Sequence, residues 1–139
     1  MYISKGGLPM KKGSRQYNIR VPISVADEIR DYAVRYGISA SSAVLRFTQE
    51  GLRMSRFPGI DFRWTPTGRL PHVTGTGLTV WELFRIWIDH KQEVPRLQRN
   101  YPHLTLNQIN AAVSYGQTFG AEKPLPSPPP PFALKVTVP

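Results

Sequence analysis

The chain has 139 residues, a formal net charge of +9 and a sequence pI near 10.3. Such an excess of cations favours an anionic partner, nucleic acid first, because phosphate binding releases counterions. The lack of cysteine excludes disulfides and thiolate zinc sites, and no apolar run approaches the length of a membrane span. We expect a cytoplasmic protein of one ordinary domain or two small ones, with no membrane contact.

The N-terminal segment is basic. Residues 1–22 carry five Lys or Arg and no Asp or Glu, and glycine and proline interrupt any regular pattern up to residue 14. We expect a flexible basic arm over residues 1–14. The stretch that follows, RQYNIRVP (residues 15–22), alternates polar with apolar side chains and predicts a strand.

Successive side chains of a strand point to opposite faces. One face would carry Tyr17, Ile19 and Val21. The opposite face would carry the polar side chains Gln16, Asn18 and Arg20. Amides suit adenine edges and arginine suits guanine, so the polar face has the chemistry of base readout in a DNA major groove. The alternative is an ordinary half-solvated edge strand.

Two short amphipathic helices are predicted after the strand. Ser24 is the candidate N-cap of the first helix, which Gly37 would end. Ser39 is the candidate cap of the second, which would end near Met54. A strand and two helices within about 40 residues are too short to bury a core alone, so this segment would need a partner subunit.

Residues 15–55 resemble the ribbon-helix-helix (Arc/MetJ-type) repressors. The resemblance lies in the RQYNIRVP strand, the Pro-initiated first helix that closes on Gly37, and the Ser-capped second helix. It implies that two strands from two subunits pair antiparallel and lie in the major groove. It also places Gln16, Asn18 and Arg20 at the base-reading positions.

Phosphate contacts are expected at two places. The basic arm supplies cations, and the start of the second helix supplies free amide groups and hydroxyls, as the resemblance also suggests. The expected phosphate-binding residues are Lys11, Lys12, Arg15, Ser39, Ser41 and Ser42.

The remainder predicts a helical unit. Residues 55–77 are dense in Pro, Gly and Thr with interleaved aromatics, which indicates a packed linker, with a short hairpin as one option. Thr79 with Glu82 and Thr105 with Gln108 form candidate capping boxes for two helices. A short middle helix between them completes a helix-turn-helix outline over residues 56–122.

This second unit resembles the small helix-turn-helix-like family catalogued as domain of unknown function four-three-three. The stretches that carry the resemblance are VTGTGLTVWELF and NYPHLTLNQINAAVSYG. Proteins of this kind resemble VapB-like antitoxins, whose toxins are PIN-domain ribonucleases. The resemblance therefore implies a ribonuclease toxin as partner, in a higher hetero-oligomer.

No catalytic or metal site is expected. The three histidines, His72, His90 and His103, are scattered without ligand spacing, and the acidic residues form no convergent pair. The TGTGLT stretch lacks the spacing and lysine of a P-loop. We expect no cofactor, no metal and no enzymatic activity.

The tail, residues 123–139, is a proline-rich spacer followed by FALKVTV. This stretch could add a strand to the sheet edge of a toxin, or it could be disordered. The candidate toxin contacts are Trp81, Phe132, Leu134 and Val136.

The sequence thus predicts a mainly α protein: a dimeric ribbon-helix-helix, a three-helix helix-turn-helix-like domain and an extended Pro-rich tail. The function expected is that of an antitoxin that binds double-stranded operator DNA as a homodimer, neutralises its toxin and represses its own operon. The alternative is a plasmid partition or copy-number regulator with no toxin partner.

Overall fold

Five helices and one hairpin make up residues 13–120, the part of the chain that the computed structural model describes. The elements are α1 (Ile23–Tyr36), α2 (Ala40–Arg56), β1 (Ile60–Thr65), β2 (Gly68–Val73), α3 (Val80–Asp89), α4 (Val94–Asn100) and α5 (Leu106–Phe119). The predicted mainly α class is confirmed at this level. The helices are not long and apolar enough, anywhere in the described range, to cross a membrane.

The ends of α1 and α2 follow local chemistry. The predicted N-cap Ser24 is wrong, because α1 already begins at Ile23 with Pro22 before it, and proline is well suited to the start of a helix. Gly37 ends α1 in the left-handed region, at φ 65°, as predicted. Ser39 caps α2 as predicted, its Oγ accepting the Ser42 N–H at 3.0 Å.

The hairpin confirms the short hairpin allowed within the packed linker. Strands β1 and β2 pair antiparallel from Ile60 opposite Val73 to Thr65 opposite Gly68, leaving a two-residue turn. The Thr65 hydroxyl donates to the Gly68 carbonyl at 2.7 Å, and Gly68 has φ 123°, a value that favours glycine. Local bonds thus close the hairpin at its turn.

Three helices follow the hairpin, in the predicted order. The Thr79 hydroxyl caps α3 by accepting the Glu82 N–H at 3.1 Å. The predicted capping box of α5 is complete, because Thr105 accepts the Gln108 N–H at 3.1 Å and the Gln108 side chain accepts the Thr105 N–H at 2.9 Å. Helix α3 lies so close to α5 that a Cβ on Gly116 would come within 2.3 Å of the Phe84 ring.

Within residues 13–120 the hydrophobic core cluster is formed by residues that follow α2. Its buried members are Phe57, Ile60, Val73, Val80, Leu83, Trp87, Leu97, Leu104, Ile109, Ala112, Tyr115 and Phe119. In the two N-terminal helices the buried apolar residues are two alanines, Ala33 and Ala43. These helices therefore contribute little to the core of their own chain.

The exposed large apolar side chains concentrate in that same N-terminal part. Of the thirteen found between residues 13 and 120, eleven precede residue 55. They are Tyr17, Ile19, Val21, Ile23, Val25, Val34, Val44, Leu45, Phe47, Leu52 and Met54. Soluble monomers rarely expose so many apolar side chains in one segment, so this surface is of the kind that a partner covers.

Candidate nucleic-acid interface

The predicted base-reading residues lie on an unpaired segment. Residues 14–22 belong to neither a helix nor a strand in the single chain, and none of the described residues accepts a hydrogen bond from their amides. The predicted strand is therefore not formed by one chain alone. A strand needs a neighbour to satisfy its backbone groups. Within the described range β1 and β2 pair with each other, and His72 forms an isolated bridge with Thr79, so neither strand pairs with residues 14–22.

Both faces of this segment are open to solvent. Gln16, Asn18 and Arg20 are exposed. Their apolar neighbours are exposed as well, with Tyr17 at 81% and Ile19 at 73%. The polar side chains could therefore reach a ligand, whereas the apolar ones expose surface that water solvates poorly.

The serines predicted to bind phosphate lie together at the start of α2. Ser39 accepts the Ser42 N–H and donates its own hydroxyl proton to Ser42 Oγ at 2.9 Å. The Ser42 hydroxyl can therefore still donate to an anion, and the first N–H groups of a helix lack intrahelical acceptors. Ser41 is exposed beside them. The site combines hydroxyl and amide donors with the positive end of a 17-residue helix.

The other predicted contacts are only partly located. Arg15 is exposed, on the same segment as Arg20. The predicted phosphate ligands Lys11 and Lys12 lie outside the described residues. So do the predicted toxin contacts Phe132, Leu134 and Val136.

Trp81, the remaining predicted toxin contact, is half-buried. Its ring packs edge-on against Tyr115 at 5.9 Å and against Phe84 at 6.5 Å between centroids. The indole Nε1 is buried and has no hydrogen-bond partner among the described residues. Much of this side chain thus packs within its own domain.

A cluster that the sequence did not predict joins α1 and α2 to the hairpin. Trp64 on β1 stacks on Tyr36 at the end of α1, with centroids 5.0 Å apart and planes 16° from parallel. The guanidinium carbons of Arg46 and Arg69 lie 5.4 and 5.6 Å from the Trp64 ring centroid. An arginine–aromatic cluster therefore fixes the hairpin on the two N-terminal helices.

An ion pair supports the same junction. Arg69 on β2 donates to Glu50 on α2 at 2.6 Å, and the two side chains are 19% and 10% exposed. Arg53, one turn further along α2, donates to the Tyr115 hydroxyl at 2.8 Å and lies 4.1 Å from the Phe119 ring centroid. Arginine side chains thus connect α2 both to the sheet and to α5.

Candidate ligands for metals do not converge in the described range. Within residues 13–120 there is no group of three His, Asp or Glu side chains placed to bind a metal ion. The imidazole of His90, at the end of α3, lies 2.8 Å from the Ile86 carbonyl of α3 and 2.9 Å from the side-chain amide of Asn100 on α4.

Comparison with known proteins identifies part of the helical domain. Residues 67–116, from the hairpin turn into α5, match the family described as protein of unknown function (DUF433). The predicted resemblance to this family is confirmed over these residues. The chain matched no curated protein and no solved structure.

The Glu50–Arg69 pair generates a stability prediction. Glu50→Gln removes the charge that compensates a mostly buried guanidinium, so we expect the free energy of unfolding to fall by about 1–3 kcal/mol. The matched control is Asp89→Asn, which breaks the exposed 3.3 Å pair with Arg85 on α3 and should cost less than about 0.5 kcal/mol. Urea denaturation measures both. Equal losses would show that the Glu50–Arg69 pair does not fix the junction.

Proposed function

We propose that this protein is a DNA-binding antitoxin, which dimerises and binds operator DNA through its N-terminal segment, represses its own operon and neutralises a PIN-domain ribonuclease toxin. The observation that carries the proposal is the concentration of exposed apolar side chains before residue 55, next to exposed amide and cationic groups. A large exposed apolar surface is typical of a protein interface, and the amide and guanidinium groups beside it can bind base edges of DNA.

The support for a dimer is the unpaired backbone and the exposed apolar side chains of the N-terminal segment. Antiparallel pairing of residues 15–22 with the same residues of a second copy would satisfy the backbone groups of both segments. The period of two places Tyr17, Ile19 and Val21 on one face of that ribbon, where the apolar side chains of α1 and α2 could cover them. A two-fold dimer is also the commonest way to bury such a surface in identical copies.

The polar face of the ribbon, opposite the apolar one, would contact DNA. Pairing of the apolar side chains would leave Gln16, Asn18 and Arg20 projecting together from both strands of the ribbon. A two-stranded ribbon fits the major groove, and these side chain types read adenine and guanine edges. The first 63 residues carry 11 Lys and Arg against 5 Asp and Glu, so a net +6 of the total +9 lies on this side of the protein.

The antitoxin part of the proposal concerns the other half of the chain. Its support is the resemblance of the helical domain to VapB-like antitoxins, together with a tail whose FALKVTV stretch alternates like an edge strand. The family matched over residues 67–116 is itself of unknown function and assigns no activity. Neutralisation of a toxin therefore needs a test separate from that of DNA binding.

Dimerisation is tested by placing a charge on the apolar face. Ile19→Asp should convert the protein from a dimer into a monomer of 15.7 kDa, because a carboxylate would be buried in the ribbon without a partner. Analytical ultracentrifugation measures the mass of each species. Leu106→Asp, at an exposed apolar residue far from the ribbon in sequence, should leave the dimer intact. A monomeric wild type would refute the dimer.

Base readout is tested at Arg20. Arg20→Ala should weaken binding to DNA from upstream of the protein's own gene by about 1–3 kcal/mol and relax its sequence preference. The control, Arg35→Ala, removes another exposed arginine, at the end of α1, and should change affinity much less. Fluorescence anisotropy gives both affinities. Unchanged specific binding by Arg20→Ala would contradict the proposed base-reading face.

Neutralisation is tested by co-expression with the product of the neighbouring gene. Deletion of residues 124–139 should release ribonuclease activity while operator binding persists, since the tail would contact the toxin and not the DNA. Growth and RNA integrity report the toxin, and anisotropy reports the DNA. Full neutralisation by the shortened chain would remove the tail from the proposed mechanism.

A further inference from the structure

A groove runs between the C-terminal end of α2 and one face of α5. Arg56 and the loop that follows it form one wall, and Asn107, Asn110 and Ser114 of α5 form the other. The groove has a volume of about 630 Å³. It lies apart from the unpaired segment and from the start of α2, so neither proposed DNA contact uses it.

The exposed face of α5 is unusual in having no charge. Helix α5 contains no Lys, Arg, Asp or Glu, and its exposed side chains after the first residue are Asn107, Asn110, Ser114 and Gln117. Exposed helix faces ordinarily carry many Lys and Glu. A face of amides and a hydroxyl offers many hydrogen bonds and does not repel a polyanion.

The side-chain amides that line the groove differ in whether they already form hydrogen bonds within the protein. Gln108 already bonds the Thr105 N–H at 2.9 Å and the Thr74 carbonyl at 3.4 Å, so it positions α5 against the hairpin. Asn107 and Asn110 are exposed three residues apart, hence on one face of the helix, and none of the described residues bonds their side chains. Both amides can therefore bond a ligand.

The groove also contains a positioned cation. The Arg56 guanidinium carbon lies 5.2 Å from the centroid of the Phe57 ring, which holds the charge at the groove wall. No carboxylate lines the groove within the described residues. Phe57 itself is only 8% exposed, so the groove lacks the open aromatic anchor on which a protein partner would depend.

We propose that this groove is a second contact with duplex DNA, in which Arg56 binds a backbone phosphate and the amides of Asn107 and Asn110 bond base edges. Asparagine can pair bidentately with adenine, so the expected preference is for A·T pairs. This inference rests on the proposed function, because it places α5 on the duplex that the ribbon holds. It gives the helical domain a role in DNA recognition.

The length of α2 separates the two contacts. At 1.5 Å per residue the 17 residues of α2 span about 25 Å from the Ser39 site to Arg56. With 3.4 Å per base pair, the groove can reach DNA up to about seven base pairs from the phosphates bound at Ser39. The protected region of a dimer would therefore extend beyond the ribbon's own site on both sides.

The test is hydroxyl-radical footprinting of the full-length protein on DNA from upstream of its gene. The variant Asn107→Ala/Asn110→Ala should lose the flanking protection, keep the central protection and bind about tenfold or more weakly. The matched control is Gln117→Ala, an exposed amide on the same helix outside the groove lining, which should retain the wild-type footprint. Arg56→Gln should lower the salt dependence by about one counterion per subunit.

The outcomes separate this inference from the function on which it rests. If the double variant keeps the flanking protection while Arg20→Ala loses the central protection, the groove does not bind DNA and the proposed function stands. If the wild type binds no DNA, both fail. The double variant could also keep the full footprint but no longer co-purify with the product of the neighbouring gene. In that case the groove binds protein, and the inference is overturned. The double variant could lose protection merely because it misfolds, so Arg56→Gln provides an independent test. If the salt dependence of DNA binding is the same for Arg56→Gln as for the wild type, the groove does not contact DNA.

Discussion

The apolar side chains of residues 17–54 exceed what residues 13–120 bury, and this constraint shapes the rest of the account. Helices α1 and α2 bury only two alanines among their apolar residues, while aromatic and branched side chains along both helices stay in solvent. Burial of one leucine-sized side chain contributes about 1.5–3 kcal/mol, so the uncovered surface represents a large part of the stability that a small domain can have. A second copy of the same segment would recover it. The proposed homodimer, and the DNA-reading face that it creates, both follow from this requirement.

The two halves of the chain are nevertheless not independent in their contacts. Trp64 stacks on Tyr36, and the Glu50–Arg69 pair joins α2 to the sheet. These contacts hold the hairpin against the N-terminal helices, while Arg53 connects α2 to Tyr115 in the helical core. In the proposed antitoxin, toxin binding to the helical domain would therefore change the position of α1 and α2, the helices that also form the dimer. Such a connection would let toxin binding affect DNA binding.

Local signals in the sequence predicted local structure well. Gly37 and Ser39 were identified from the residue types that suit a helix end and a helix start, and the Thr105 capping box from two residues three positions apart. Ser24 was misassigned as an N-cap because the proline two residues earlier already starts the helix. Each of these features depends on a few neighbouring residues, which is why a short pattern can reveal it.

Contacts between distant residues were not predictable in the same way. Arg53 and Tyr115 lie 62 positions apart, and Glu50 and Arg69 lie 19 apart, so no periodicity relates them. Trp81 packs on Tyr115, which lies in a different helix, because α5 lies close to α3. The groove at Arg56 has the same origin, since it exists only once α2 and α5 are brought together. The predicted base-reading segment depends on a second chain, so one chain can show only that its side chains are exposed.

The most direct measurement is hydrogen exchange of the backbone amides of residues 16–21 in the wild-type protein without DNA. In one chain these amides have no hydrogen-bond acceptor among the described residues, so protection would report a second copy. We predict slow exchange at every second amide, the pattern of a two-stranded antiparallel ribbon, and loss of this protection as dilution separates the subunits. Fast exchange at all six positions in concentrated protein would contradict the ribbon.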